Sequence, residues 1–150
     1  MTPMTQIDWQ LPDPDRHADF YADVPLKRGL AWVVDSLLIL GLVLLAVLFT
    51  AFIGLFFLPF LWLALSFAYR AVTIARGSAT WGMRFMGIEL RNFRGERLSP
   101  LEAVLHTATH LACMAFVLPQ IASIVAMLIT PRGQGLPDLA LATTALNRRR

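Results

Sequence analysis

Ser36 to Tyr69 reads SLLILGLVLLAVLFTAFIGLFFLPFLWLALSFAY, a stretch with no Asp, Glu, Lys or Arg. As one helix rising about 1.5 Å per residue it would be a rod of roughly 51 Å, too long for a hydrocarbon core of about 30 Å. Two spans of roughly 20 residues each, folded back on one another, fit better. They fall near Ala31 to Thr50 and near Phe56 to Ala75, with the uncharged Ala51-Phe-Ile-Gly-Leu-Phe-Phe-Leu-Pro59 as the hairpin tip. Composition agrees that lipid is the solvent. The 150 residues are 57% hydrophobic and 15% charged, against about half and about a quarter in soluble domains.

Outward from the hairpin, Pro25, Lys27 and Arg28 lead into Gly29-Leu-Ala-Trp-Val-Val-Asp35. Trp32 suits the headgroup level, and Lys27 and Arg28 are expected to snorkel towards it. Residues 1–24 carry five aspartates and three prolines with little apolar periodicity, so a polar, mobile leader is expected, either solvated or docking a partner. A cleaved secretory signal does not fit this acidic start. On the far side, Arg70 to Arg97 holds six arginines. The positive-inside rule places that segment, and with it the N-terminus, in the cytoplasm. Its glycines predict a turn, a short irregular or β-ribbon connection, and a second turn at Asn92-Phe-Arg-Gly95. The net charge of +3 is modest, and the arginines flank apolar segments, which argues against a nucleic-acid surface.

Ser99-Pro-Leu-Glu102 combines an N-cap serine, proline at the first helical position and a glutamate three residues after the cap, so a helix starts there. Ala103 to Thr130 again lacks Asp, Glu, Lys and Arg. It is expected as a third apolar helix that Pro119 kinks or splits, because the proline removes a backbone donor and clashes one turn back. Either it crosses once, or it re-enters or forms a short helical pair and keeps Arg132 and the basic end at 148–150 inside. The fold class is an all-α membrane protein, a transmembrane hairpin plus a third, Pro-kinked helix. One membrane domain is expected over 25–147.

Ionisable groups in this apolar setting are the candidate site. Asp35 lies seven residues after Arg28 and about 10 Å deeper along the helix, too far for an easy pair. If the turn lies near Phe52 and Ile53, antiparallel geometry brings Asp35 level with Arg70; a later turn brings Thr73 or Arg76. Such a carboxylate either marks a solute or proton path or fixes the hairpin register. On the third helix Glu102, His106, His110 and Cys113 form one polar stripe continuing towards Gln120. Helix packing, a proton path and metal ligation are the three readings, the last lacking an evident fourth ligand. A lone cysteine excludes an intramolecular disulfide. No phosphate loop or nucleophile with a neighbouring base is found, so neither an enzyme nor a cofactor is expected.

Three blocks in order carry a resemblance: Arg28-x-x-Ala31-x-x-x-Asp35, Ala79-Thr-Trp-Gly82-Met-Arg84-x-x-Gly87-Ile and Gln134-Gly-Leu-Pro-Asp138-Leu-Ala. With the apolar hairpin between the first two, the chain resembles the RDD family from Leu26 to Leu146. The arginine and two aspartates of the family's name correspond to Arg28, Asp35 and Asp138. The chain departs from the pattern at His106, where the family often has arginine, and at Pro137, where it often has histidine. The resemblance implies a membrane-embedded protein. The leading expectation is transport of a small ion or solute with proton coupling, in the cell (inner) membrane, with Asp35 central and Arg28, Arg70 and Asp138 around it. A span count this low implies a homo-oligomer or membrane partner. The alternative is a scaffold or accessory subunit whose arginine-rich segment recruits a partner or anionic lipid.

Overall fold

The computed structural model describes residues 9–148. The first eight residues of the leader and the last two arginines lie outside them. Two thirds of the chain is helical. Helix α1 (Val24–Phe49) begins seven residues before the expected span, because Pro25 suits a first turn, where no backbone donor is needed. Its buried residues are Val24, Arg28, Ala31, Asp35, Ile39, Val43 and Val47, a single stripe at three- and four-residue spacing. The opposite face exposes leucines throughout, Leu37 and Leu44 among them. Such a face in water would be costly, and in lipid it is not.

The chain reverses at Thr50 to Phe52, where Ala51 and Phe52 take positive φ of 50° and 66°. The Gly54 N–H donates to Thr50 Oγ1 at 3.1 Å, and a 3-10 turn over Ile53–Phe57 leads into α2 (Leu58–Gly77). Ile39, Val43 and Val47 pack with Leu61, Leu65 and Tyr69 along the hairpin. Two helical stretches, 18–49 and 53–77, are long and apolar enough to cross a membrane.

The expected third helix is two helices, α4 (Pro100–Met114) and α5 (Val117–Ile129), bent by 116°. The break falls at Ala115 and Phe116 rather than at Pro119 itself. In a continuous helix the proline ring would collide with the Ala115 carbonyl one turn back; by restarting at Val117, the chain puts Pro119 in a first turn, where its missing N–H is harmless. The pair goes out and comes back. At the start of α4 the Leu98 N–H donates to Ser78 Oγ at 2.6 Å, beside the end of α2. After α5, Gly133 abuts the Pro25 ring at the start of α1.

The arginine-rich connection folds more than a turn-rich link would. It forms a short helix α3 (Trp81–Met86), capped by Thr80, and strand β1 (Ile88–Asn92). The partner of β1 is not local. It is β2 (Thr143–Asn147) near the C-terminus, antiparallel with Ile88 opposite Asn147 and Asn92 opposite Thr143. A short helix α6 (Leu136–Leu141) precedes β2. Val24, Ala31, Ile74, Ala79, Met83, Ile88, Leu90, Leu98, Ala103 and Ala145 make one core at this end. The described part of the leader also packs here, against expectation: the Gln10 N–H donates to Phe93 O at 2.8 Å and the Tyr21 hydroxyl to Pro12 O at 2.8 Å. Asn147 Nδ2 holds the leader through Asp19 O and Ala22 O.

Candidate functional site

Four donors surround Asp35, which is buried. Oδ1 accepts from the Tyr69 hydroxyl at 2.7 Å and the Gly82 N–H at 2.9 Å. Oδ2 accepts from the Thr80 hydroxyl at 2.7 Å and Arg70 Nη1 at 3.4 Å. The hairpin register thus brings Asp35 and Arg70 together, and α3 supplies the rest. Helix starts leave N–H groups without intrahelical partners; here Gly82 gives its own to Asp35 and Met83 gives its own to Thr80 Oγ1 at 3.2 Å. Glycine is required at position 82. A Cβ there would collide with the Ala31 carbonyl and lie 2.7 Å from Asp35 Oδ1.

Asp138 is fully buried on α6 and has its own four donors. Oδ2 accepts from Arg28 Nη1 at 2.5 Å and the Gly135 N–H at 3.0 Å. Oδ1 meets His106 Nε2 at 2.9 Å and accepts from the Thr143 hydroxyl at 3.1 Å. Burial alone would raise the Asp138 carboxyl, but the Arg28 guanidinium and the His106 imidazole hold it well below the usual carboxylate range. Arg28 was expected to snorkel towards headgroups. It is buried instead, because Asp138 gives its charge an inward partner; Lys27 reaches Asn147 Oδ1 at 2.7 Å.

The polar stripe of α4 divides. Glu102 belongs to the helix start: Oε2 accepts from the Ser99 N–H at 2.7 Å, and Oε1 accepts from Asn92 Nδ2 at 3.3 Å. His106 joins Asp138. His110 is the next residue on that face, and its Nε2 is buried without a partner. Gln120 lies past the bend and does not extend the stripe. Among the described residues, no three His, Cys, Asp or Glu side chains gather as a metal site.

Arg28 with Asp138 and Asp35 with Arg70 are therefore two ion pairs on neighbouring helices. Sequence reasoning missed Tyr69, Thr80, Gly82, Gly135 and Thr143 as their partners. The signal for Thr80, Gly82 and Gly135 was their place in the blocks at 79–88 and 134–140; nothing marked Tyr69 or Thr143.

The family model described as the RDD family matches residues 23–142, most of the chain. Both ion pairs and the helices that carry them fall inside that range. No curated protein and no solved structure matches the chain. The chain belongs to the RDD family.

Proposed function

We propose that this RDD-family chain is a multi-pass protein of the cell (inner) membrane that moves a small ion or solute with proton coupling through the Asp138, His106 and Arg28 centre. In this reading α1 and α2 cross the bilayer and the bent α4–α5 pair re-enters. Both described chain ends then lie at the arginine-rich end, which the positive-inside rule makes cytoplasmic. The observation that carries the reading is the contact of His106 Nε2 with fully buried Asp138 at 2.9 Å. Imidazole is the side chain most used to shuttle protons, and an ionisable residue on an apolar helix of a membrane protein, as His106 is on α4, marks an ion or proton path. The centre is moved from Asp35 to Asp138, because only Asp138 has an imidazole partner. Two crossing helices and a re-entrant pair enclose little space, so the pathway needs a homo-oligomer or a membrane partner. The chain acts here as a carrier and not as an enzyme.

The test is reconstitution into proteoliposomes with a pH-sensitive dye inside. Wild type is expected to dissipate an imposed pH gradient several-fold faster than empty vesicles, and His106→Gln to fall back towards them. Wild-type flux equal to that of empty vesicles sinks transport. Exposed Arg76, Arg94 and Arg97 favour a second, scaffold reading, in which they recruit a partner or anionic lipid. It gains if their replacement abolishes a pull-down partner while flux is absent throughout.

A further inference from the structure

Helix α3 turns back along α2 instead of leading away from it. The Trp81 N–H donates to the Tyr69 hydroxyl at 3.2 Å, and Arg84 Nη2 donates to Thr73 O at 3.4 Å. Tyr69 to Gly77 is about two helical turns, so α3 lies beside the end of α2, at the arginine-rich end of the hairpin. Its six residues divide by face. Gly82 and Met83 are buried against the protein, whereas Trp81 and Phe85, one turn apart, are 57% and 78% exposed. Aromatic side chains exposed at the end of a membrane-crossing helix sit at the level of the lipid headgroups.

Arg84 shares this face. Its guanidinium stacks on the Trp81 ring at 5.1 Å and packs over Gly77, where a Cβ would collide with it. A guanidinium carries five N–H donors. Among the described residues Arg84 meets one acceptor, Thr73 O; capping the end of α2 in this way leaves the other donors without a protein partner. Neither Arg84 nor exposed Arg76, next to Gly77, has a described carboxylate within 4 Å.

These features select the ligand's class. A guanidinium held in place matches the paired oxygens of a phosphate group. Two arginines without a carboxylate favour a lipid of net negative charge over a zwitterionic one. A soluble anion would meet the arginines and leave Trp81 and Phe85 uncovered, whereas acyl chains cover them. We infer that Trp81, Arg84 and Phe85 on α3, with Arg76 on α2, form a site for an anionic phospholipid. The phosphate accepts from the remaining donors of Arg84, and the acyl chains lie against the two aromatic side chains. The inference rests on α1 and α2 crossing the bilayer and is independent of transport. It differs from the scaffold reading in placing the lipid at α3 and not at Arg94 and Arg97.

The test follows the midpoint of thermal unfolding of the full chain in mild detergent as phosphatidylglycerol, or phosphatidylcholine with the same acyl chains, is added. Phosphatidylglycerol is expected to raise the midpoint by several degrees more than phosphatidylcholine, as a ligand of the folded state does. Arg84→Gln, and Phe85→Ala at its exposed position, should each lose most of that difference, and Arg94→Gln should keep it. Each variant is its own reference, so a change in its basal stability does not enter. If Arg84→Gln keeps the difference, or Arg94→Gln loses as much of it, the attraction is diffuse and the inference fails. Glycerol 3-phosphate, which has the phosphate and no acyl chains, is expected to leave the midpoint unchanged; an equal rise would assign the arginine to a soluble anion and overturn the lipid. Equal rises with the two lipids also overturn the inference, leaving the patch to a protein partner and the crossing of α1 and α2 intact. That crossing fails separately, if alkaline carbonate strips the chain from membranes without detergent.

Discussion

Asp35 and Asp138 are both buried carboxylates with one arginine partner and three further contacts, and they differ in what those contacts join. Asp35 ties α1 to α2 through Tyr69 and Arg70, and to α3 through Thr80 and Gly82. None of these donors changes charge near neutral pH. Asp138 ties α1, α4 and β2 to α6, and one of its partners is an imidazole. Equal burial therefore yields two arrangements: a fastening of the hairpin to its connection, and a centre that joins a carboxylate to an imidazole. Removing a charge from the first should act on folding, and from the second on pH response.

The largest expected effect is that of Asp35→Ala. It leaves Arg70 buried and unpaired beside three donors without an acceptor, a loss of about 3–5 kcal/mol, read by denaturant unfolding in detergent. A loss below about 1 kcal/mol would mean that Asp35 is no fastening. Gly82→Ala follows. Its methyl must push α3 off Ala31 and Asp35, and overpacking of this kind costs about 1–3 kcal/mol; the same substitution at Gly29, where a Cβ meets nothing within 4 Å, should not destabilise the protein and is the control.

Acid titration sharpens the contrast from the other side. Because the folded-state Asp138 carboxyl is depressed, its stabilisation is fully present above the unfolded value of about 4 and is lost as pH falls below it. The loss is about 1.4 kcal/mol for each pH unit of depression traversed. Asp138→Asn should flatten that part of the pH–stability profile, and an unchanged acid limb would show that the carboxyl is not held by Arg28.

The hairpin and the Asp35–Arg70 pairing were legible in the sequence because both follow from the length of an uncharged run and the rise of a helix. The start of α4 was equally legible, since Ser99, Pro100 and Glu102 carry a local capping pattern. The ribbon was readable only in part. Its first strand lies in the connection where a β-ribbon was expected, but its partner at Thr143–Asn147 comes from far along the chain, and pairing at that distance leaves no local signature. Helix α3 was read as a turn because six residues containing Gly82 show too little periodicity. The break at Ala115 and Phe116 was legible from Pro119, since proline excludes the turn before it rather than its own position. Arg28 was misread, because a basic residue at a span's end looks like a headgroup anchor until a distant aspartate is folded against it.

A matched pair of substitutions tests the division between the two carboxylates most directly. Thr80→Val and Thr143→Val each replace one hydroxyl donor by a methyl, the first at Asp35 and the second at Asp138. Each should cost about 1 kcal/mol of stability or somewhat more. The measurement is the pH dependence of proton flux in proteoliposomes, normalised to folded protein. The division predicts that Thr143→Val shifts the midpoint of that dependence while Thr80→Val leaves it at the wild-type value. A midpoint that moves with Thr80→Val and stays put with Thr143→Val would contradict it.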